Sequence, residues 1–225
     1  FSGHTHTYIC THTHAPTYSL SAESPLPVTA PIRNDVFLAG RQFPVPATDF
    51  VGISSDLSQI KTQAQASGAF YNPSGALGYH IVLKTNDTYD LYRVNNLQAA
   101  PNGCTNLQSQ DGWGTWSIRS SNGQTLLGNY AFPANGLIFF DDNVWVNGAI
   151  NTARLTIAAG RFPDDSTTRR SITINNDLTY TNYDGSDVIG LISQKNINVG
   201  LFSEDDLRID AAIIAQNGRA GRYYY

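Results

Sequence analysis

The chain has 225 residues, a formal net charge of −4 at pH 7 and only 14% charged residues. That length can bury a sizeable core. The acidic balance, with Lys61, Lys84 and Lys195 as the only lysines and no basic run, gives no reason to expect nucleic acid as a partner. No apolar stretch approaches the roughly 20 residues of a transmembrane helix, so no membrane segment is expected within this sequence. No signal peptide is visible. Abundant Asn, Gly, Ser and Thr suit the turns of an extracellular all-β protein, and the expected location is extracellular or at the cell surface. Methionine is absent, position 1 included, which reads as a processed product or a piece of a longer reading frame.

In chain order, residues 1–34 form an extended arm rich in Thr, His and Pro, because Pro16, Pro25, Pro27 and Pro31 forbid a long regular element. Residues 35–135 form an α+β segment. It opens with a short strand at Val36-Phe37-Leu38 and an extended Pro stretch. Residues 53–67 then form one helix, with Ile53, Leu57, Ile60 and Ala64 at i, i+4, i+7 and i+11 on one face. Ser54 or Ser55 caps its start and Gly68 ends it. A hairpin over 79–94 turns at Asn86-Asp87. Trp113, Trp116 and Ile118 mark another strand region, and Gly123 sits in the turn before Thr125-Leu126-Leu127.

From about Gly136 the chain repeats short β-rich runs closed by Asn, Asp or Gly. These are Leu137–Phe140 with Val144–Val146, Leu155–Ile157 with Ile172–Ile174, Val188–Ile192 with Ile197–Val199, and Leu207–Ile209 with Ala212–Ala215. Their spacing of roughly 20 residues is that of β-solenoid coils. The fold expected is mainly β, with a right-handed parallel β-helix (solenoid) over 136–225 and one short helix. The alternative is a β-sandwich, since periodicity does not separate the two. In Ser171-Ile172-Thr173-Ile174-Asn175 and Lys195-Asn196-Ile197-Asn198-Val199, alternation sets one face in the core and one in water. Asn175, Asn176, Asn196, Asn198 and Asn217 suit tight corners with left-handed backbone.

Two stretches carry a resemblance. Gly136–Gly148 (GLIFFDDNVWVNG) and Asp206–Gly218 (DLRIDAAIIAQNG), the latter followed by Gly221-Arg222-Tyr223, resemble phrases of bacterial hypothetical envelope proteins from pilus-assembly-like loci. In that family a pilin-type hydrophobic N-terminus precedes a β-solenoid. The likeness covers roughly residues 35–225. It implies a surface or pilus-associated role and a solenoid fold, and it brings no catalytic residues. This chain lacks the pilin-type N-terminus and the expected C-terminal continuation, as a fragment would.

The sharpest chemical candidate is the N-terminal run. If extended, it places His4, His6, Tyr8, Cys10, His12 and His14 on one face. Imidazole and thiolate suit Zn(II) or copper. Cys10 and Cys104, the only cysteines, form an even pair that allows a disulfide outside the cell. Glu204, Asp205 and Asp206 offer oxygen ligands for a structural Ca2+. Other acidic pairs, Asp141-Asp142, Asp164-Asp165 and Asp184 with Asp187, sit in turns, where Asp is favoured for backbone reasons. His80, between Tyr79 and Ile81, reads as a structural histidine. Trp113, Trp116, Tyr130, Trp145, Tyr180, Tyr183 and Tyr223–Tyr225 offer a sugar-stacking platform or, more plainly, core packing.

The expected function is therefore a non-enzymatic extracellular structural or adhesive protein. It would be a pilus- or filament-associated subunit whose partners are copies of itself or other envelope subunits, with no required cofactor. The alternatives are a glycan-binding or polysaccharide-cleaving protein (a hydrolase or lyase) and a metal-binding filament subunit.

Overall fold

A computed structural model describes residues 50–104 and 112–223. Helix α1 (Phe50–Ser67) leads into β1 (Ala69–Tyr71), β2 (Gly78–Lys84), β3 (Thr88–Val94) and β4 (Gln124–Ala131). There follow β5 (Leu137–Phe140), β6 (Val144–Ile150), β7 (Arg154–Ala159), β8 (Ile172–Tyr180), β9 (Val188–Ser193), β10 (Ile197–Val199), β11 (Ala212–Ala215) and β12 (Ala220–Arg222).

The strands form two sheets. A five-stranded sheet runs β1-β5-β7-β9-β11 and is parallel throughout. A seven-stranded sheet runs β12-β10-β8-β6-β2-β3-β4. It is parallel from β12 to β2 and antiparallel across β2-β3 and β3-β4. From β5 onward the chain alternates between the sheets, one strand to each.

The alternation of side chains explains the shared core. Ile138, Phe140, Leu155, Ile157, Ile189 and Leu191 point inward from the smaller sheet. They meet Ile81, Leu91, Val144, Val146, Ile172, Ile174 and Ile197 from the larger one. Fully burying a side chain of this size contributes about 1.5–3 kcal/mol. On the other side of the smaller sheet, α1 lays Leu57 and Ala64 against Phe139 and Ala158, with Ile60 packed beside them. That is the face expected from the helix period. The helix starts upstream of expectation, at Phe50, so neither Ser54 nor Ser55 is its N-cap. Gly68 does follow its last residue, and its N–H bonds Ala64 O at 3.0 Å.

The corners between the sheets are held by side chains bonded to backbone. On one rim Asn143 Oδ1 accepts from Ser171 N at 3.0 Å and Asn196 Oδ1 from Arg219 N at 3.0 Å, while Asn217 Nδ2 donates to Gln194 O at 2.9 Å. On the opposite rim the buried Asp187 accepts from Ala153 N at 3.1 Å, Thr181 N at 3.0 Å and Asn182 N at 2.7 Å. Asp210 accepts from Tyr180 N at 3.1 Å and from the Tyr183 hydroxyl at 2.5 Å.

The expected right-handed parallel β-helix over 136–225 is not what forms. Parallel pairing begins far upstream, where β1 pairs β5 and β2 pairs β6. The larger sheet is mixed, because β2, β3 and β4 make an antiparallel meander. An antiparallel sandwich is not formed either, since every named strand pair outside that meander is parallel. Period-two alternation reports which residues face a core. It does not report how many sheets supply that core.

Three smaller expectations also change. Leu207–Ile209 contributes only an isolated bridge, Leu178↔Ile209, and a strand beyond the repeated runs, β12, forms at Ala220–Arg222. Asn175, Asn176 and Asn198 lie within strands and not at corners; the first two fall where the β6–β8 register shifts. Among the described residues, the non-glycine positions with left-handed backbone are Asp87, Trp116, Asn122 and Thr152.

The seam between the meander and the parallel strands is the β2–β6 pair. Two glycines guard it. A Cβ on Gly148, at φ +115°, would lie 2.2 Å from Leu83 O, and one on Gly78, at φ +145°, would lie 2.3 Å from Asn143 O. Only glycine fits such backbone approaches.

Candidate functional site

His4, His6, Cys10, His12 and His14 lie outside the described residues. Cys104 is buried and disulfide-bonded, and Cys10 is the only other cysteine in the sequence. Glu204, Asp205 and Asp206 are all exposed, and Glu204 Oε1 accepts from Asn176 Nδ2 at 2.9 Å. Among the described residues no group of three or more His, Cys, Asp or Glu side chains is placed to hold a metal ion.

The acidic pairs diverge, as adjacent strand-end residues must. Asp141 turns toward α1, with Lys61 Nζ at 3.3 Å and Arg161 Nε at 3.6 Å. Asp142 turns the other way and accepts from Ser74 N and Oγ, both at 2.8 Å, with Arg170 Nε 4.0 Å away. Asp141 Oδ1 and Arg170 Nε are buried without a hydrogen-bond partner. Burial, followed by the neighbouring Arg161 charge, pulls Arg170 below its ordinary value. Asp164 forms a two-bond fork with Arg169 at 2.9 and 2.7 Å, which holds its carboxyl below the usual range. For Asp187 burial pushes upward, but the backbone donors of Asn182 and Ala153 outweigh it and the net direction is down. The shifted aspartates therefore behave as ion-pair and turn acceptors. A carboxylic acid that donates a proton at neutral pH needs the opposite shift.

His80 is buried on the outward face of β2. Its Nδ1 meets Gln124 Oε1 on β4 at 2.6 Å, and its Nε2 meets Asn147 Oδ1 on β6. Burial drives its pKa down despite these bonds. A neutral ring donates through one nitrogen and accepts through the other, so one of the two amides must present its NH2. The residue is a structural clamp, as its apolar neighbours suggest.

The outward face beside His80 is not in water, contrary to the alternation argument. Trp145, Thr173 and Asn198 on β6, β8 and β10 are all buried. A strap of residues 112–119 covers this face. Trp116 O accepts from Trp145 Nε1 at 2.7 Å, Thr115 O from Leu201 N at 2.8 Å, and Ser117 Oγ from Phe202 N at 2.9 Å. Asn198 is wholly enclosed, and neither atom of its amide has a partner. The strand expected around Trp113–Ile118 is instead this strap, with one bridge between Leu97 and Ile118.

The aromatic residues divide between packing and surface. Tyr71, Tyr79, Tyr89, Tyr130, Phe132 and Phe140 close the core at the meander end, with Tyr71 and Tyr89 hydroxyls 2.6 Å apart. Burial, then that hydrogen bond, raises the Tyr89 pKa strongly. Tyr183 is exposed under the Arg208 guanidinium, and Tyr223 is buried beneath Arg219.

Two surface features remain. A recess of about 340 Å3 is lined by Asp87, Phe132, Pro133, Gly136, Thr152 and Arg154. Arg154 Nη2 donates to Gly185 O at 3.0 Å, and neither Arg154 nor Asp87 has an ion-pair partner among the described residues. The second feature is β4, the edge of the larger sheet. Seven of its eight residues are exposed, with Leu126 57%, Leu127 44% and Tyr130 41% exposed. The stretch 120–140 around it contains no charged residue. The sequence marks Gly123 as the turn before Thr125-Leu126-Leu127, but it carries no sign that the strand stands at a sheet edge, because that depends on the sheet order.

No family model, curated protein or solved structure matches the chain.

Proposed function

We propose that this chain is a non-enzymatic structural or adhesive surface protein that works by assembly, as a subunit associated with a pilus or filament of the cell envelope. The observation that carries this reading is β4. Sheet edges expose unpaired N–H and C=O groups, and natural proteins protect them with charges, prolines or very short strands. An eight-residue edge with no charge and three exposed large apolar side chains has none of these three, its one irregularity being the register shift at Leu127. Such an edge is suited to receive a strand. The likeness of 136–148 and 206–218 to envelope proteins of pilus-assembly-like loci points the same way.

The test is negative-stain electron microscopy together with light scattering of the purified protein over a wide concentration range. Filaments or discrete oligomers are expected. Dispersed monomers at every concentration would sink the reading.

The recess supports a second reading, glycan binding. Its apolar wall of Phe132 and Pro133, with the Asp87 carboxylate, Thr152 hydroxyl and Arg154 guanidinium, matches what a sugar ring uses. Titration with neutral mono- and oligosaccharides, read by calorimetry, would show saturable heat that Arg154→Ala removes. No heat with any of them would end this reading.

A further inference from the structure

We infer that β4 pairs antiparallel with β4 of a second copy of this chain about a two-fold axis, joining the two seven-stranded sheets edge to edge. This rests on the assembly reading above and names its partner.

The argument is one of charge placement. The edge itself is neutral from residue 120 to 140. It holds nothing to recruit a charged partner, and it sets no like charge against its own copy although each chain carries a net −4. The flanks are charged, with opposite signs at the two ends. At the start of β4 stand Arg119, four residues before Gly123, and Arg93, which is paired in register with Thr125. Among the described residues, Arg93 Nε reaches only Asn95 Oδ1, at 3.2 Å. Arg119 is exposed, and its side chain has no hydrogen bond or ion pair among the described residues. At the far end lies Asp87, exposed and without an ion-pair partner among the described residues, whose carbonyl accepts from Phe132 N at 2.8 Å just beyond the strand.

An antiparallel pair about a two-fold sets the start of each β4 against the end of the other. The cations of one copy then meet the Asp87 carboxylate of its partner, twice. A parallel pair would set like against like. Two-fold contacts require a self-complementary patch, and a neutral strand with opposite charges at its ends is one. Leu126 and Tyr130, half exposed in the single chain, gain cross-strand neighbours in the pair.

The experiment is sedimentation velocity over a wide concentration range at low and moderate salt. Wild type is compared with Leu126→Lys, Arg119→Glu and a control, Val188→Lys, which places a charge on an exposed residue of β9. Thermal melts confirm that each variant is folded. Wild type and V188K should show a concentration-dependent dimer. L126K should weaken it by about tenfold or more, as a charge on a bare edge does. R119E should weaken it roughly two- to fivefold, with most of the difference lost at high salt. Deuterium exchange at β4 amides should slow on dimerisation in wild type and V188K, and not in L126K. If wild type associates but L126K and R119E associate equally well, the β4 pairing is wrong while the assembly reading stands. If wild type sediments as a monomer throughout, both fall.

Discussion

The parallel strands and the antiparallel meander solve the same problem by different means. In the parallel part, β5 to β12, neighbouring strands belong to distant stretches of chain. What holds them in step is the set of Asn and Asp side chains that bind backbone groups one layer away, such as Asn143 to Ser171 and Asp187 to Ala153, the latter also bonding Thr181 and Asn182 of its own connection. The meander passes from β2 to β3 through residues 85–87 and reaches β4 only after residues 95–123, so corner groups between the two sheets are not what closes it. It is instead sealed by aromatic rings, with Tyr71 stacked on Phe140 at 4.9 Å and Tyr89 stacked on Phe132 at 6.2 Å. The difference shows that corner polarity marks where the chain leaves a sheet, and ring packing marks where a sheet overhangs its partner.

The seam gives the hardest test of that division. Gly148→Ala forces a Cβ into the Leu83 backbone at a left-handed φ and should destabilise the protein by about 3 kcal/mol or more. Urea unfolding should then split into two transitions if the regions hold themselves together independently, and remain single if they do not. Asp187→Ala attacks the parallel part alone. Leaving its buried N–H donors unpaired should cost roughly 2–3 kcal/mol. Exchange protection should fall in β7 and β9 and not in β3. In wild type this contribution is present above the ordinary carboxylate range, because the folded pKa is depressed. It is lost as pH falls through that folded value.

Tyr89→Phe attacks the meander where it meets β1. It removes the hydroxyl 2.6 Å from that of Tyr71 and should cost about 1 kcal/mol, seen as a lower urea midpoint with unchanged slope. The smallest effect belongs to His80, which ties β4 to β6 across the seam. Its folded pKa lies below the ordinary value near 6.5. Between those two values the unfolded chain binds a proton that the folded chain does not, so stability falls as pH drops below about 6.5. His80→Gln should flatten that part of the Tm-against-pH curve relative to wild type. An unchanged slope would mean that the clamp carries no proton linkage.

Much of this was legible in the chain. Leu57, Ile60 and Ala64 set the phase of α1, and the Asn86-Asp87 turn between alternating runs located β2 and β3. The runs from Leu137 to Ala215 coincide with β5 to β11, apart from Leu207–Ile209. The parallel β-helix did not survive. Alternation in Ile172-Thr173-Ile174 is identical whether the inward face meets one coil or a second sheet, and it carries no sign that Thr173 lies under a strap. Thr115 and Ser117 are small polar residues of the kind usually found in water, and only their bonds to residues 98, 201 and 202 reveal the cover. The candidate edge was hidden for a related reason. Nothing in Leu126, Leu127 and Tyr130 separates interior from edge until the sheet order places them last.

The strap also determines what light can report about this molecule. All three tryptophans belong to it or lie beneath it: Trp113 and Trp116 within it, and Trp145 under it with its indole N–H on Trp116 O. Intrinsic tryptophan fluorescence is therefore an almost private signal of one layer. A red shift in emission would announce that the cover has lifted from β6, and it could do so while the five-stranded sheet, which holds no tryptophan, stays fully folded and optically silent.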